Sequence, residues 1–240
     1  MSGHSKWSTI KRQKGVNDAK RGLTFTKLSN AISISVRQGG NIGDPNQNFR
    51  LRLAVEAARA ANMPKENIAR AIERALSKQS GAFEETIYEG FAPGNVAVIV
   101  EAATDNKNRT TAEVKNVFEK NGGTMGQMGS VAYNFKRVGR LLVERKGMSY
   151  DDAFLAFADL GAEDVMEHDD DTFAIIVGIP EMTHVKDALL NAGHTITEMG
   201  MVFLPVTTVE VDEETMEKVA RLVERLEDLD DVQQVFVNLA

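Results

Sequence analysis

GRLLVERKGMSYDDAFLAFADLGAEDVMEHDDDTFAIIVGI, residues 139–179, decides how the chain folds. GRLLVER (139–145) reads as a strand, and a helix follows from Ser149 to Leu160. Two short apolar runs, 163–167 and 172–178, read as strands joined by the acidic HDDD turn. A second helix over about 181–192 stops at Gly193, and a strand-like stretch covers 195–204. Residues 137–204 thus run strand, helix, strand, strand, helix, strand, which is the ferredoxin-like split βαβ order.

The flanks supply matching halves. VAVIVEA (96–102) is a nearly continuous apolar run and reads as a buried strand. Val114, Val117 and Phe118 recur at helical spacing in 108–121, and Asn121-Gly122-Gly123 ends that helix. VAYNF (131–135) alternates as a strand should. After the central block come a strand at 206–211, a helix opened by Asp212 and carrying Met216, Val219, Leu222, Val223 and Leu226, and the strand VQQVFV (232–237). Joined together, the flanks repeat the central order. The economical reading is a discontinuous α/β domain, 81–136 with 205–240, interrupted by an inserted α/β domain, 137–204. The alternative is two consecutive domains sharing an interface.

Residues 1–80 form a third part, a basic arm followed by three helices. Phe25, Leu28, Ile32 and Val36 share one helix face, and Gly39-Gly40 ends that helix. Asp44-Pro45 reads as a cap followed by proline at the first helical position. The helix behind it turns Leu51, Val55 and Ala58 inward. Asn62-Met63-Pro64 breaks the chain, and Ile68, Ile72 and Leu76 stripe a third helix. Gln79-Ser80-Gly81 reads as a linker. The fold class is α+β: a helical bundle and two ferredoxin-like-type α/β domains, one inserted in the other.

Composition narrows the function. The chain has no cysteine, which excludes disulfides, thiolate metal sites and a cysteine nucleophile. No apolar run approaches the roughly 20 residues that a bilayer helix needs, and no signal-peptide core is present, so a cytoplasmic location without membrane association is expected. The formal net charge is -7, but it is unevenly spread. Residues 1–80 hold fifteen Lys and Arg against five Asp and Glu; the remainder holds thirteen against thirty. The first third attracts polyanions, and the rest repels them.

No catalytic constellation emerges. His4, His168, His184 and His194 lack the spacing of a helical or zinc-finger metal site. His168 stands in an acid-rich hairpin turn of the solvated kind. There is no G-x-S-x-G elbow, Walker loop or dinucleotide fingerprint. GGTMGQMGS (122–130) is glycine-rich but leads into a strand, so it reads as a tight connection rather than a phosphate cradle. No cofactor and no metal are expected.

The binding signal lies in the basic third. Lys6, Lys11, Arg12 and Lys14 crowd nine residues around Trp7, which could stack on a base; Lys20 and Arg21 follow. Arg70, Arg74 and Lys78 recur at i, i+4, i+8, turned away from the apolar stripe of the third helix, and Lys65 precedes them. TDNKNRT (104–110) joins a buried strand to a helix. Its Asn106, Lys107 and Arg109 form a second possible contact for an anion, although a capped turn explains them as well.

GHSKW (3–7), IKRQK (10–14), KLSNAI (27–32), RQGG (37–40), NMPKENIARAI (62–72), YEGFAPGNVAVIVEAATDNKNRT (88–110) and GGTMGQMGSVAYNF (122–135) together resemble the YebC/PmpR family, to which the mitochondrial translational activator of cytochrome c oxidase also belongs. Asn95 departs from it by replacing the usual second glycine after Pro-Gly, and SNAISISVRQGG is less basic than usual. The resemblance implies three domains and a non-enzymatic role in gene expression. Its members are described either as DNA-binding transcriptional regulators or as ribosome-associated factors that support translation, notably of proline-rich stretches. A ribosome- or RNA-bound translation factor, acting as a monomer, is the favoured expectation. A DNA-binding regulator is the alternative, and a protein-interaction scaffold is the second alternative.

Overall fold

The structure, a computed structural model, describes residues 21–77 and 84–240; for 21–24 it describes the backbone alone. The chain divides into two compact units, Met1–Lys136 with Pro205–Ala240 and Arg137–Leu204.

In the first unit three helices come first: α1 (Arg21–Gln38), α2 (Phe49–Ala60) and α3 (Lys65–Leu76). Ile32, Val36, Leu51, Val55, Ala58 and Ile68 close on one another as their core. The cap of α2 is Asn48, not Asp44. The Asn48 side chain accepts the Leu51 N–H and donates to the Ser35 and Ile42 carbonyls. Asp44 instead closes a separate turn, accepting the Asn46 N–H on its carboxylate. A second difference lies in α3. Ala71 and Ala75 are buried, whereas Leu76 is 45% exposed. The small alanine side chains let α1 approach closely enough for the Ser33 hydroxyl to reach the Ala71 carbonyl at 3.4 Å.

The chain then builds a four-stranded antiparallel sheet from β1 (Glu84–Ala92), β2 (Val96–Thr104), β3 (Thr124–Met125) and β8 (Val232–Val237), ordered β3-β1-β2-β8. Helices α4 (Lys107–Lys120) and α7 (Glu213–Glu227) join its core through Val114, Phe118, Val219, Leu222 and Leu226. Sequence periodicity assigns no strand to 84–92, yet β1 pairs with β2 from Glu84↔Thr104 to Ala92↔Val96. The connecting turn holds Gly94 at φ 77° and Asn95 at φ 57°. Asparagine tolerates this left-handed region better than other side chains, which explains how Asn95 can stand at a usual glycine position. Two expected strands are absent. Ala132–Asn134 is a 3-10 turn, and 206–211 makes only a single bridge, Val209↔Leu239.

The second unit follows its expected order. It runs β4 (Phe135–Glu144), α5 (Tyr150–Asp159), β5 (Asp164–Glu167), β6 (Thr172–Val177), α6 (Met182–Asn191) and β7 (Ile196–Pro205), with sheet order β5-β6-β4-β7. This is the ferredoxin-like arrangement. Phe157 of α5 meets Phe173 of β6 edge to face at 6.2 Å, and Leu141, Ile175 and Leu189 are fully buried.

Candidate nucleic-acid interface

The turn between α2 and α3 aims the basic helix. Asn62 takes φ 60° and donates its N–H to the Arg59 carbonyl, while the Met63 N–H reaches the Ala58 carbonyl. These paired bonds are a Schellman end, and Pro64 directly after them prevents α2 from continuing. Helix α3 then turns Ile68, Ala71 and Ala75 inward, leaving Lys65, Arg70 and Arg74 exposed.

Arg70 and Arg74 line an open groove of about 320 Å³ with Ser29 of α1, Asn67 and Ala71. Arg70 donates to the Asn67 side chain at 2.5 Å, and Arg74 donates to the Asn30 side chain at 3.3 Å. The side chains of α3 are thus oriented by neighbouring amides while staying open to solvent. Charge does not single out Ser29 and Asn30; their signal is the polar Ser29-Asn30 pair within KLSNAI (27–32), where Asn30 is buried. Lys6, Trp7, Lys11, Arg12, Lys14, Lys20 and Lys78 lie outside the described residues, and Arg21 is placed only as the first residue of α1.

The TDNKNRT turn has different electrostatics. Asn106 caps α4 by accepting the Arg109 N–H at 3.2 Å, and Lys107 is exposed. The Arg109 guanidinium pairs with Asp231 at 2.8 Å and Asp105 at 3.2 Å. Asp231 also accepts the buried Thr110 and Thr104 hydroxyls at 2.6 and 3.0 Å. Burial alone would raise the Asp231 pKa, but the hydrogen bonds from Arg109, Thr110 and Thr104 outweigh it and hold the carboxyl below its ordinary range. The same bond to Asp231 raises the Arg109 pKa.

Arg109 and Arg74 border a cleft of about 580 Å³ whose other charged residues are Asp105, Glu113, Asp228, Asp230 and Asp231. Five carboxylates against two guanidiniums disfavour a polyanion here. The groove between α1 and α3 has no acid among its lining residues. Among the described residues no cluster of His, Asp and Glu is arranged to hold a metal ion, and no helix is long and apolar enough to cross a membrane.

Two family profiles match the chain. TACO1/YebC protein N-terminal domain covers residues 5–78, and TACO1/YebC second and third domain covers 83–239. A Chloroflexus aurantiacus protein named "Probable transcriptional regulatory protein" is 48% identical over 242 residues, spanning 100% of this chain and 95% of its own. A Desulforamulus reducens protein of the same name is 45% identical, spanning 99% and 98%. The crystal structure of a conserved hypothetical protein from Aquifex aeolicus superposes with a TM-score of 0.83 at 44% identity, covering 93% of this chain and 91% of that one. The chain belongs to the TACO1/YebC family.

Proposed function

We propose that this protein is a non-enzymatic, nucleic-acid-binding regulator of gene expression whose helical domain grips the phosphates of RNA, on the ribosome in the cytoplasm. The observation that carries this reading is the acid-free groove at Arg70 and Arg74, set in the basic third of an otherwise acidic chain. Arginines on an open helical face suit phosphate contacts, which supply the salt-dependent part of nucleic-acid affinity. Support of translation through difficult stretches, such as proline-rich ones, is the role that the family resemblance suggests.

The balance between RNA and duplex DNA turns on the first turns of α3. A major-groove reader uses the residues there for base edges. Here Asn67 and Arg70 bond to each other, which favours a phosphate grip over base readout. The name carried by the relatives favours the second reading, a DNA-binding transcriptional regulator.

Replacing Arg70 and Arg74 by Glu tests the grip. Ribosome or RNA affinity should fall at least ~10-fold at low salt, and the salt slope should flatten by about 1 for each phosphate no longer held. Unchanged affinity and slope would refute the interface. Sequencing of nucleic acid crosslinked in cells separates the targets. Ribosomal RNA reads support the proposal, whereas discrete DNA sites support the second reading.

A further inference from the structure

The glycine-rich loop of the first unit is held around a buried carboxylate. Glu89 of β1 is 5% exposed and accepts three backbone N–H groups: Gly129 at 2.7 Å, Val131 at 2.8 Å and Ala132 at 2.9 Å. The Gly126 N–H adds a bond to the Glu89 carbonyl at 2.8 Å. Gly126 packs so tightly that a Cβ there would stand 2.3 Å from the Ser130 hydroxyl. A loop pinned in this way has few alternative conformations.

What the loop displays is unusual for a solvated turn. Met128 is 89% exposed and Tyr133 73% exposed. The Val206 N–H donates to the Asn134 carbonyl at 2.8 Å, which brings Val206, itself 67% exposed, beside the Tyr133 turn. The charge pattern is also local. Within the first unit, residues 120–136 carry Lys120 and Lys136 and no acid, and residues 205–209 carry no charge at all. Both segments lie within the part of the chain where acids outnumber bases thirty to thirteen. The loop's one supporting acid, Glu89, is buried and bonded. The display therefore offers an aromatic ring and a thioether with no exposed carboxylate in the loop itself.

We infer that Tyr133, on the loop held by Glu89, is a stacking platform for an unpaired base of single-stranded RNA. The inference rests on the proposed reading of the helical domain as an RNA-binding part and adds a second contact on the α/β sheet domain. A flat exposed aromatic ring accepts any base face, and a rigid loop limits the ordering cost of doing so. A base within a duplex is already stacked and cannot use the platform.

The test uses the full-length protein and a short single-stranded RNA carrying one fluorescent adenine analogue. Stacking should quench the analogue on binding. Tyr133→Ala should abolish the quenching and weaken affinity about 5- to 100-fold, while Tyr133→Phe and Tyr133→Trp should preserve both. The same sequence as a duplex should bind wild type and Tyr133→Ala alike. Because Tyr133 is exposed, unchanged thermal unfolding of the Ala variant will show that the fold is intact. Wild-type affinity and quenching in Tyr133→Ala would overturn the platform. If Arg70→Glu with Arg74→Glu still weakens binding in that case, the helical-domain reading survives. If wild type fails to bind the RNA at low salt, both fall.

Discussion

At the residue scale, the two most informative acids are Asp231 and Glu89, and neither is legible from its neighbours in sequence. Asp231 reads as one more acid in EDLDD, yet it gathers Arg109, Thr110 and Thr104 from more than a hundred residues away. The TDNKNRT cap itself is legible, because an asparagine before a helix is a local signal. Its partner is not. Removing the Asp231 carboxylate takes the acceptor from two buried hydroxyls, so Asp231→Ala should cost about 2–3 kcal/mol, with little added for half-exposed Arg109. The pH dependence has a fixed sign. The folded-state pKa of Asp231 is lowered, so its contribution is complete above the ordinary carboxylate pKa and is lost as pH falls through the folded value. The stability gap between wild type and Asp231→Asn, measured by urea unfolding, should therefore shrink on acidification. A gap that widened toward acid pH would contradict this account.

At the element scale, helices and central strands are legible because a 3.6- or 2-residue apolar period is written locally. VAVIVEA is a buried strand, and Asp212 accepts the Thr215 N–H at 2.7 Å as a cap should. The start of α2 is not legible in the same way, because Asp44-Pro45 carries the same local signature as a true cap. The chain spends Pro45–Gln47 on a turn first, and Asn48 does the capping. Asn48 is 4% exposed and bonds Ser35, Ile42 and Leu51. Asn48→Ala should thus cost the helical domain about 2–4 kcal/mol, whereas Asp44→Ala should cost ~1 kcal/mol or less. Thermal unfolding of the two variants decides this; equal losses would return the cap to Asp44. VAYNF misleads for a related reason. Its alternation is genuine, but Glu89 draws the Val131 and Ala132 amides out of any ladder.

At the scale of the whole molecule, the strongest prediction concerns the interruption of the first unit by residues 137–204. Asn134 and Val206 are hydrogen-bonded across the two chain crossings, so the cut ends of the first unit lie side by side. Replacing 137–204 with a short Gly/Ser linker should leave the core around Val98, Phe118 and Leu222 folded, because closing a short loop between adjacent ends costs little entropy. Cooperative unfolding with native-like dichroism is the expected result, and a molten or aggregated product would show that the first unit depends on the second. The sequence by itself determined the helices, the strand-helix order of 137–204, the basic first third and the absence of thiol chemistry, since each is a property of composition or local period. Only the tertiary structure decided that 84–92 is a strand, that Thr124–Met125 completes the sheet through Gly90↔Met125, and that Arg109 pairs with the distant Asp231. Such pairings join residues distant along the chain, and the energy that selects them comes from burial and hydrogen bonding made only once the chain has closed on itself.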